Sequence, residues 1–163
     1  MIFTMTIEYF EEHLREYAQL MRLHRPIGIY LLLWPTLWAL WLAGNGQPPR
    51  GIVLIFVVGV ALMRSAGCVI NDIADRDFDP KVARTRDRPL AAGRVSLSEV
   101  VGLAAVLCLL AFALVLTQNA LTVQLSFVGL ALAISYPFMK RIHSLPQINL
   151  GMAFGWAIPM AYA

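Results

Sequence analysis

Apolar residues run through this chain in long blocks separated by short polar stretches. The blocks cover residues 27–43, 51–70, 100–117, 120–138 and 147–163. Continuous apolar runs of about 18–20 residues predict membrane-spanning helices rather than helices of a soluble core. The first block is opened by Arg25-Pro26 and interrupted by Pro35, and the third and fourth form a hairpin across Gln118-Asn119. Ahead of them, Phe10, Leu14, Tyr17, Ala18 and Met21 recur at helical spacing between residues 7 and 24, while Glu11, Glu12, Arg15, Glu16, Gln19 and Arg22 lie mostly elsewhere. That amphipathic pattern predicts a helix lying in the membrane interface. The expectation is an all-α, polytopic transmembrane bundle, with residues 1–25 as an amphipathic cytoplasmic segment and residues 26–163 in the membrane domain. Trp34, Trp38 and Trp41 make one stripe on the first span, read as a lipid-facing or packing surface.

Composition agrees. Of 163 residues, 59% are hydrophobic and 14% charged, above the roughly one-half apolar content of soluble domains. The first 25 residues carry Glu8, Glu11, Glu12 and Glu16 and no apolar core of suitable length, so no cleavable signal peptide is expected. Cys68 and Cys108 sit inside apolar blocks, match no metal spacing and argue for no disulfide. His13, His24 and His143 are scattered and read as structural or interfacial. The formal charge is only +3, but it is segregated. Arg15, Arg22 and Arg25 flank the first span. Lys81, Arg84, Arg86, Arg88 and Arg94 follow the second, and Lys140 and Arg141 the fourth. By the positive-inside rule these segments and the N-terminus are cytoplasmic.

The candidate chemistry lies where the second span meets its basic loop, in Asn71-Asp72-Ile73-Ala74-Asp75-Arg76-Asp77-Phe78-Asp79. Continued as a helix at about 100° per residue, Asp72, Asp75 and Asp79 fall within roughly a 60° arc, with Asn71 beside it and Asp77 pointing away. Three anions on one face at a helix C-terminus repel one another and the helix dipole, so a compensating cation is expected. All-oxygen ligands suit Mg²⁺, with a phosphate-bearing substrate completing its shell. Arg64 lies at membrane depth about two turns earlier, where an arginine is a functional candidate by default. The loop arginines would clamp a diphosphate opposite the metal, and Pro89 and Gly93 suggest that the loop is ordered, with a helix beginning near Ser96.

These residues suit an amphiphile with a diphosphate head and an apolar tail, and metal-assisted departure of the diphosphate. No Ser-His-Asp or Cys-His pattern competes, and there is no Walker lysine. A divalent-cation transporter is the alternative of another class. It fits less well, because five cations beside the acids would repel a permeating metal and transporters place such charges near the midplane.

Asn71-Asp72-x-x-Asp75-Arg76-x-x-Asp79 resembles the first aspartate-rich motif of the UbiA superfamily of intramembrane prenyltransferases. Arg84-Thr-x-x-Arg88-Pro-Leu-x-x-Gly93 and Tyr136-x-x-x-Lys140 resemble two further elements. The runs Leu33 to Trp41, Ser65 to Asp72, Tyr136 to Arg141 and Phe154 to Met160 are similar to the branch that prenylates 4-hydroxybenzoate in ubiquinone biosynthesis. The resemblance spans residues 20–163 and implies a helical fold of about nine spans, about five of them in this chain. It implies Mg²⁺-dependent ionisation of a polyprenyl diphosphate and attack by the ring carbon ortho to the phenol. Asp72, Asp75 and Asp79 are implied to hold the metal and diphosphate, supported by Asn71. Arg84, Arg88, Tyr136, Lys140 and Arg141 are implied to bind substrate, and Arg64 and Arg25 to hold either the aromatic carboxylate or the diphosphate. A naphthoate, homogentisate or haem acceptor stays open. The family's second aspartate-rich motif has no counterpart here, so these 163 residues alone are expected to be inactive. The resemblance also implies a bacterial inner membrane.

Overall fold

The computed structural model describes the backbone of residues 2–142 and 145–163 and the side chains of residues 11–139 and 145–163. All its long elements are helices: α1 (Ile2–Leu20), α2 (Ile27–Ala43), α3 (Arg50–Ala74), α4 (Leu97–Val115), α5 (Ala120–Ile142), α6 (Pro146–Gly155) and α7 (Ala157–Tyr162). A single 3₁₀ turn, Asp79–Lys81, lies between α3 and α4.

By length and composition α3, α4 and α5 can cross a membrane, and α2 is a shorter apolar helix of 17 residues. With 25 residues, α3 is about 37 Å long, more than the roughly 30 Å of a hydrocarbon core. Its last turns therefore carry Asn71 and Asp72 out to one end of the bundle. The packed centre lies between α3 and α4, where Ala66 and Val69 meet Val100, Ala104 and Leu107, joined by Leu20 of α1 and Val95. Small side chains on both helices allow this close approach. α4 starts in a capping box: Ser96 Oγ accepts from the Glu99 backbone N–H, and Glu99 Oε2 accepts from the Ser96 N–H at 2.7 Å. The expected helix start near Ser96 is therefore present.

The amphipathic α1 docks across this end. Among the described side chains of α1 the buried one is Leu20, flanked by Tyr17 and the following Met21, whereas Leu14, expected on the same face, is 49% exposed. Arg94 Nε donates to Glu16 Oε1 at 2.9 Å and Tyr17 Oη to Glu99 Oε1 at 3.2 Å. The tryptophan stripe faces outward as expected, with Trp34, Trp38 and Trp41 at least half exposed.

The block 147–163 departs from expectation. It is two helices, of ten and six residues, broken at Trp156. Pro159 has no N–H to offer the Gly155 carbonyl, which ends α6 there. The Trp156 indole N–H instead donates to the Leu125 carbonyl of α5 at 2.8 Å. Gly129 makes the notch: a Cβ on it would stand 2.8 Å from Trp156 Cδ1. Gly129→Val is accordingly expected to destabilise the α5–α6 junction by about 1–3 kcal/mol, read as a lower unfolding midpoint in detergent.

Candidate functional site

The acidic stretch does not continue as one helix. α3 ends at Ala74, and Asp75 caps it with φ −92° and ψ 5°. The Asp75 carbonyl then accepts from both the Phe78 and the Asp79 N–H, each at 2.9 Å, so the chain winds a tight turn before the 3₁₀ segment. The expectation that Asp72, Asp75 and Asp79 share a helical face therefore needs correcting. Asp72 and Asp75 belong to the helix end, and Asp79 is returned to them by the turn. The dipole penalty at a helix C-terminus makes an early stop reasonable in a run of carboxylates.

The loop that follows is wound from consecutive turns and brings one arginine back. Thr85, itself buried, donates its hydroxyl to the Asp79 carbonyl at 3.0 Å. Pro89 is buried behind it, and Gly93 takes φ +71°, a conformation glycine adopts without strain. Arg88 Nη1 then donates to Asp72 Oδ1 at 3.1 Å and to Asp79 Oδ2 at 2.6 Å. A second guanidinium arrives from the other side, Arg22 Nη2 donating to the same Asp72 Oδ1 at 2.8 Å. Arg22 sits just after α1 with φ 56°, a left-handed conformation uncommon outside glycine. Asp75 is held separately, accepting from Asn71 Nδ2 at 3.1 Å.

Asp72 and Asp79 are 3% and 6% exposed. Buried carboxylates persist as charges when paired and hydrogen-bonded, and here two guanidiniums meet two carboxylates. The compensating cation that the acidic face demanded is, in this arrangement, arginine. Among the described residues, no three His, Cys, Asp or Glu side chains converge on one metal position.

The network opens onto a cavity of about 650 Å³. Arg22, Arg88 and Asn71 line its polar end, Arg64 its wall, and Phe112, Phe127, Leu130, Trp156 and Met160 are among its apolar residues. Arg64 Nη1 contacts the Cys68 sulfur, and its Nε is buried without a hydrogen-bond partner among the described residues. Tyr136 also lines the cavity. Arg25 and Arg84 are exposed and do not line it. The side chains of Lys140 and Arg141, and His143 altogether, lie outside the described residues.

Arg22 is the residue that sequence reasoning missed. It entered only as part of an amphipathic flank and a charge count, because its partner lies 50 positions away. The available signal was its place between the last apolar residue of α1 and the Arg25-Pro26 start of α2.

The sequence profile of the UbiA prenyltransferase family matches residues 32–163. A protein of Nitrosococcus oceani named 4-hydroxybenzoate octaprenyltransferase is 67% identical over 90% of this chain and 52% of its own length. A protein of the same name from Alkalilimnicola ehrlichii is 59% identical over 98% of this chain and 54% of its own length. The chain thus spans about half the length of the curated relatives it matches. The solved structure of a UbiA homologue from Aeropyrum pernix superposes with a TM-score of 0.73 at 33% identity, covering 82% of this chain and 48% of that one.

Proposed function

Since the chain belongs to the UbiA prenyltransferase family, we propose that it forms the first aspartate-rich half of an enzyme moving a polyprenyl chain from its diphosphate to the ring of 4-hydroxybenzoate, in ubiquinone biosynthesis. The observation that carries this reading is the cavity's polarity. One end is lined by the Arg22 and Arg88 guanidiniums, which hold Asp72 behind them, and by Asn71, and most of the remaining wall is hydrocarbon. That gradient matches a diphosphate head and an isoprenoid tail. The relatives' names supply the acceptor and an octaprenyl donor.

The donor set fits Mg²⁺. Asp72, Asp75 and Asp79 offer hard carboxylate oxygens, and Mg²⁺ is commonly held by one or two carboxylates with substrate phosphate oxygens completing the octahedron. The bound ion would stabilise negative charge developing on the departing diphosphate. Arg88 and Arg22 have a complementary task. Their donors now satisfy Asp72 and Asp79, and a diphosphate at the cavity's polar end would receive them in bidentate fashion. The carboxylates would thereby be released for the metal. Asn71 keeps Asp75 oriented, and Tyr136 borders the same cavity. Lys140 and Arg141 follow Tyr136 at the end of α5 and are assigned to substrate by the family resemblance. Arg64, about 12 Å along α3 from Asp72, is separate from the diphosphate end and is assigned to the acceptor's carboxylate.

The charge pattern supports an inner-membrane protein with α1, the Asp end of α3 and the basic loop on the cytoplasmic side. Ring-labelled 4-hydroxybenzoate given with polyprenyl diphosphate and Mg²⁺ to membranes carrying the full-length protein is expected to enter the lipid phase. A lipid phase without label, alongside prenylation of another aromatic, would assign a different acceptor.

A further inference from the structure

We infer that Gly28 is a positioning residue for the aromatic acceptor, acting through Arg64; this rests on the assignment of Arg64 to the acceptor's carboxylate. Gly28 is buried in the first turn of α2. A Cβ built on it would stand within 2.7 Å of the Arg64 Nε, Nη2 and Cζ atoms. The guanidinium therefore lies directly against the α2 backbone, in a space only a missing side chain leaves open. Gly28 has no unusual φ and ends no helix. No turn or cap therefore requires glycine at this position. Contact with Arg64 does.

The geometry has a directional consequence. The atoms that a Cβ would meet are the far end of a flexible side chain, so a methyl group displaces the guanidinium more easily than it separates α2 from α3. Arg64 otherwise has a Cys68 contact, an unpartnered buried Nε and the cavity beside it. The unpartnered Nε is covered by the α2 backbone, while Arg64 also borders the cavity, from which a ligand can reach the outer nitrogens of the guanidinium. A carboxylate oxygen is the acceptor to which a guanidinium donates most strongly. Gly28 thus fixes the depth at which that carboxylate is received, while Arg22 and Arg88 at the other end are untouched.

Four variants of the full-length protein in membranes test this: Gly28→Ala, Arg64→Gln, their combination, and Gly28→Ala with Arg64→Lys. Gly28→Ala is expected to raise KM for 4-hydroxybenzoate roughly tenfold, as for loss of a charge-assisted hydrogen bond, with KM for the polyprenyl diphosphate changed less than about twofold. With Arg64→Gln in place, Gly28→Ala is expected to add almost nothing, since its effect travels through the guanidinium. An unchanged acceptor KM in Gly28→Ala, while Arg64→Gln raises it, would overturn the inference and leave the Arg64 assignment standing. An Arg64→Gln effect confined to the diphosphate KM would overturn both. Should Gly28→Ala fail to accumulate, the Arg64→Lys pairing decides. Lysine's slimmer head relieves the contact, so recovered accumulation supports the inference and unrecovered accumulation contradicts it.

Discussion

Asp75→Asn is expected to remove prenyl transfer, a loss of about a thousandfold or more, with the protein still inserted and folded. The asymmetry follows from the site. Asp75 caps α3 and accepts from Asn71, and the amide oxygen of the substituted side chain still accepts that bond. What disappears is one negative charge and one hard ligand for the metal that the proposed reaction requires. The substitution removes little packing, since the two side chains have nearly equal volume. Activity is read as labelled product, and fold as the unfolding midpoint of the purified protein in detergent. Near-normal turnover would refute the role of Asp75 as a metal ligand.

Arg88→Leu should instead act first on stability. One Arg88 nitrogen holds both Asp72 and Asp79, at 3.1 and 2.6 Å. Truncating it leaves Asp72 with Arg22 and takes from Asp79 its Arg88 ion pair, and removing one partner of a buried ion pair costs about 3–5 kcal/mol. The loop from Asp79 to Gly93 would loosen with it, because Arg88 is a polar tie between that loop and Asp72 of α3, beside the apolar packing of Leu90. Arg88→Lys should restore part of the stability but bind diphosphate less well, as an ammonium cannot offer the planar fork. Chemical or thermal unfolding in detergent measures the first effect, and KM for the diphosphate substrate the second. A stability of Arg88→Leu equal to wild type would contradict the charge network.

Much of this was legible from the chain alone, and the failures have identifiable physical origins. The first apolar block, opened by Arg25-Pro26, was read as residues 27–43, and the structure places α2 at Ile27–Ala43. A helix start near Ser96 was expected after Pro89 and Gly93, and the structure shows the capping box that sets it. The acidic motif was found, but its geometry was not. Periodicity assumes that a helix continues until a stop signal, and the first proline after the motif is Pro80. The helix in fact ends at Ala74, where clustered carboxylates and the dipole oppose further winding. Arg22 escaped because its conformation and its pairing with Asp72 are tertiary. Nothing within a few residues of Arg22 reveals a partner in α3. Arg25 and Arg84 illustrate the converse. Each is basic and close in sequence to the site, but the local turns leave both exposed. Arg64 was recognised by its depth in an apolar helix, whereas the role of Gly28 as its bed required the packing of α2 on α3.

The central claim is that the carboxylate and guanidinium cluster at the end of α3 receives a diphosphate and assists its departure with Mg²⁺. Pyrophosphate release tests it most directly. Membranes carrying the full-length protein would be given polyprenyl diphosphate and 4-hydroxybenzoate, first with Mg²⁺ and then with EDTA, with Asp75→Asn in parallel. Release that requires Mg²⁺ and vanishes in the variant is the predicted result. Release that persists in EDTA, or that Asp75→Asn leaves intact, would contradict the account.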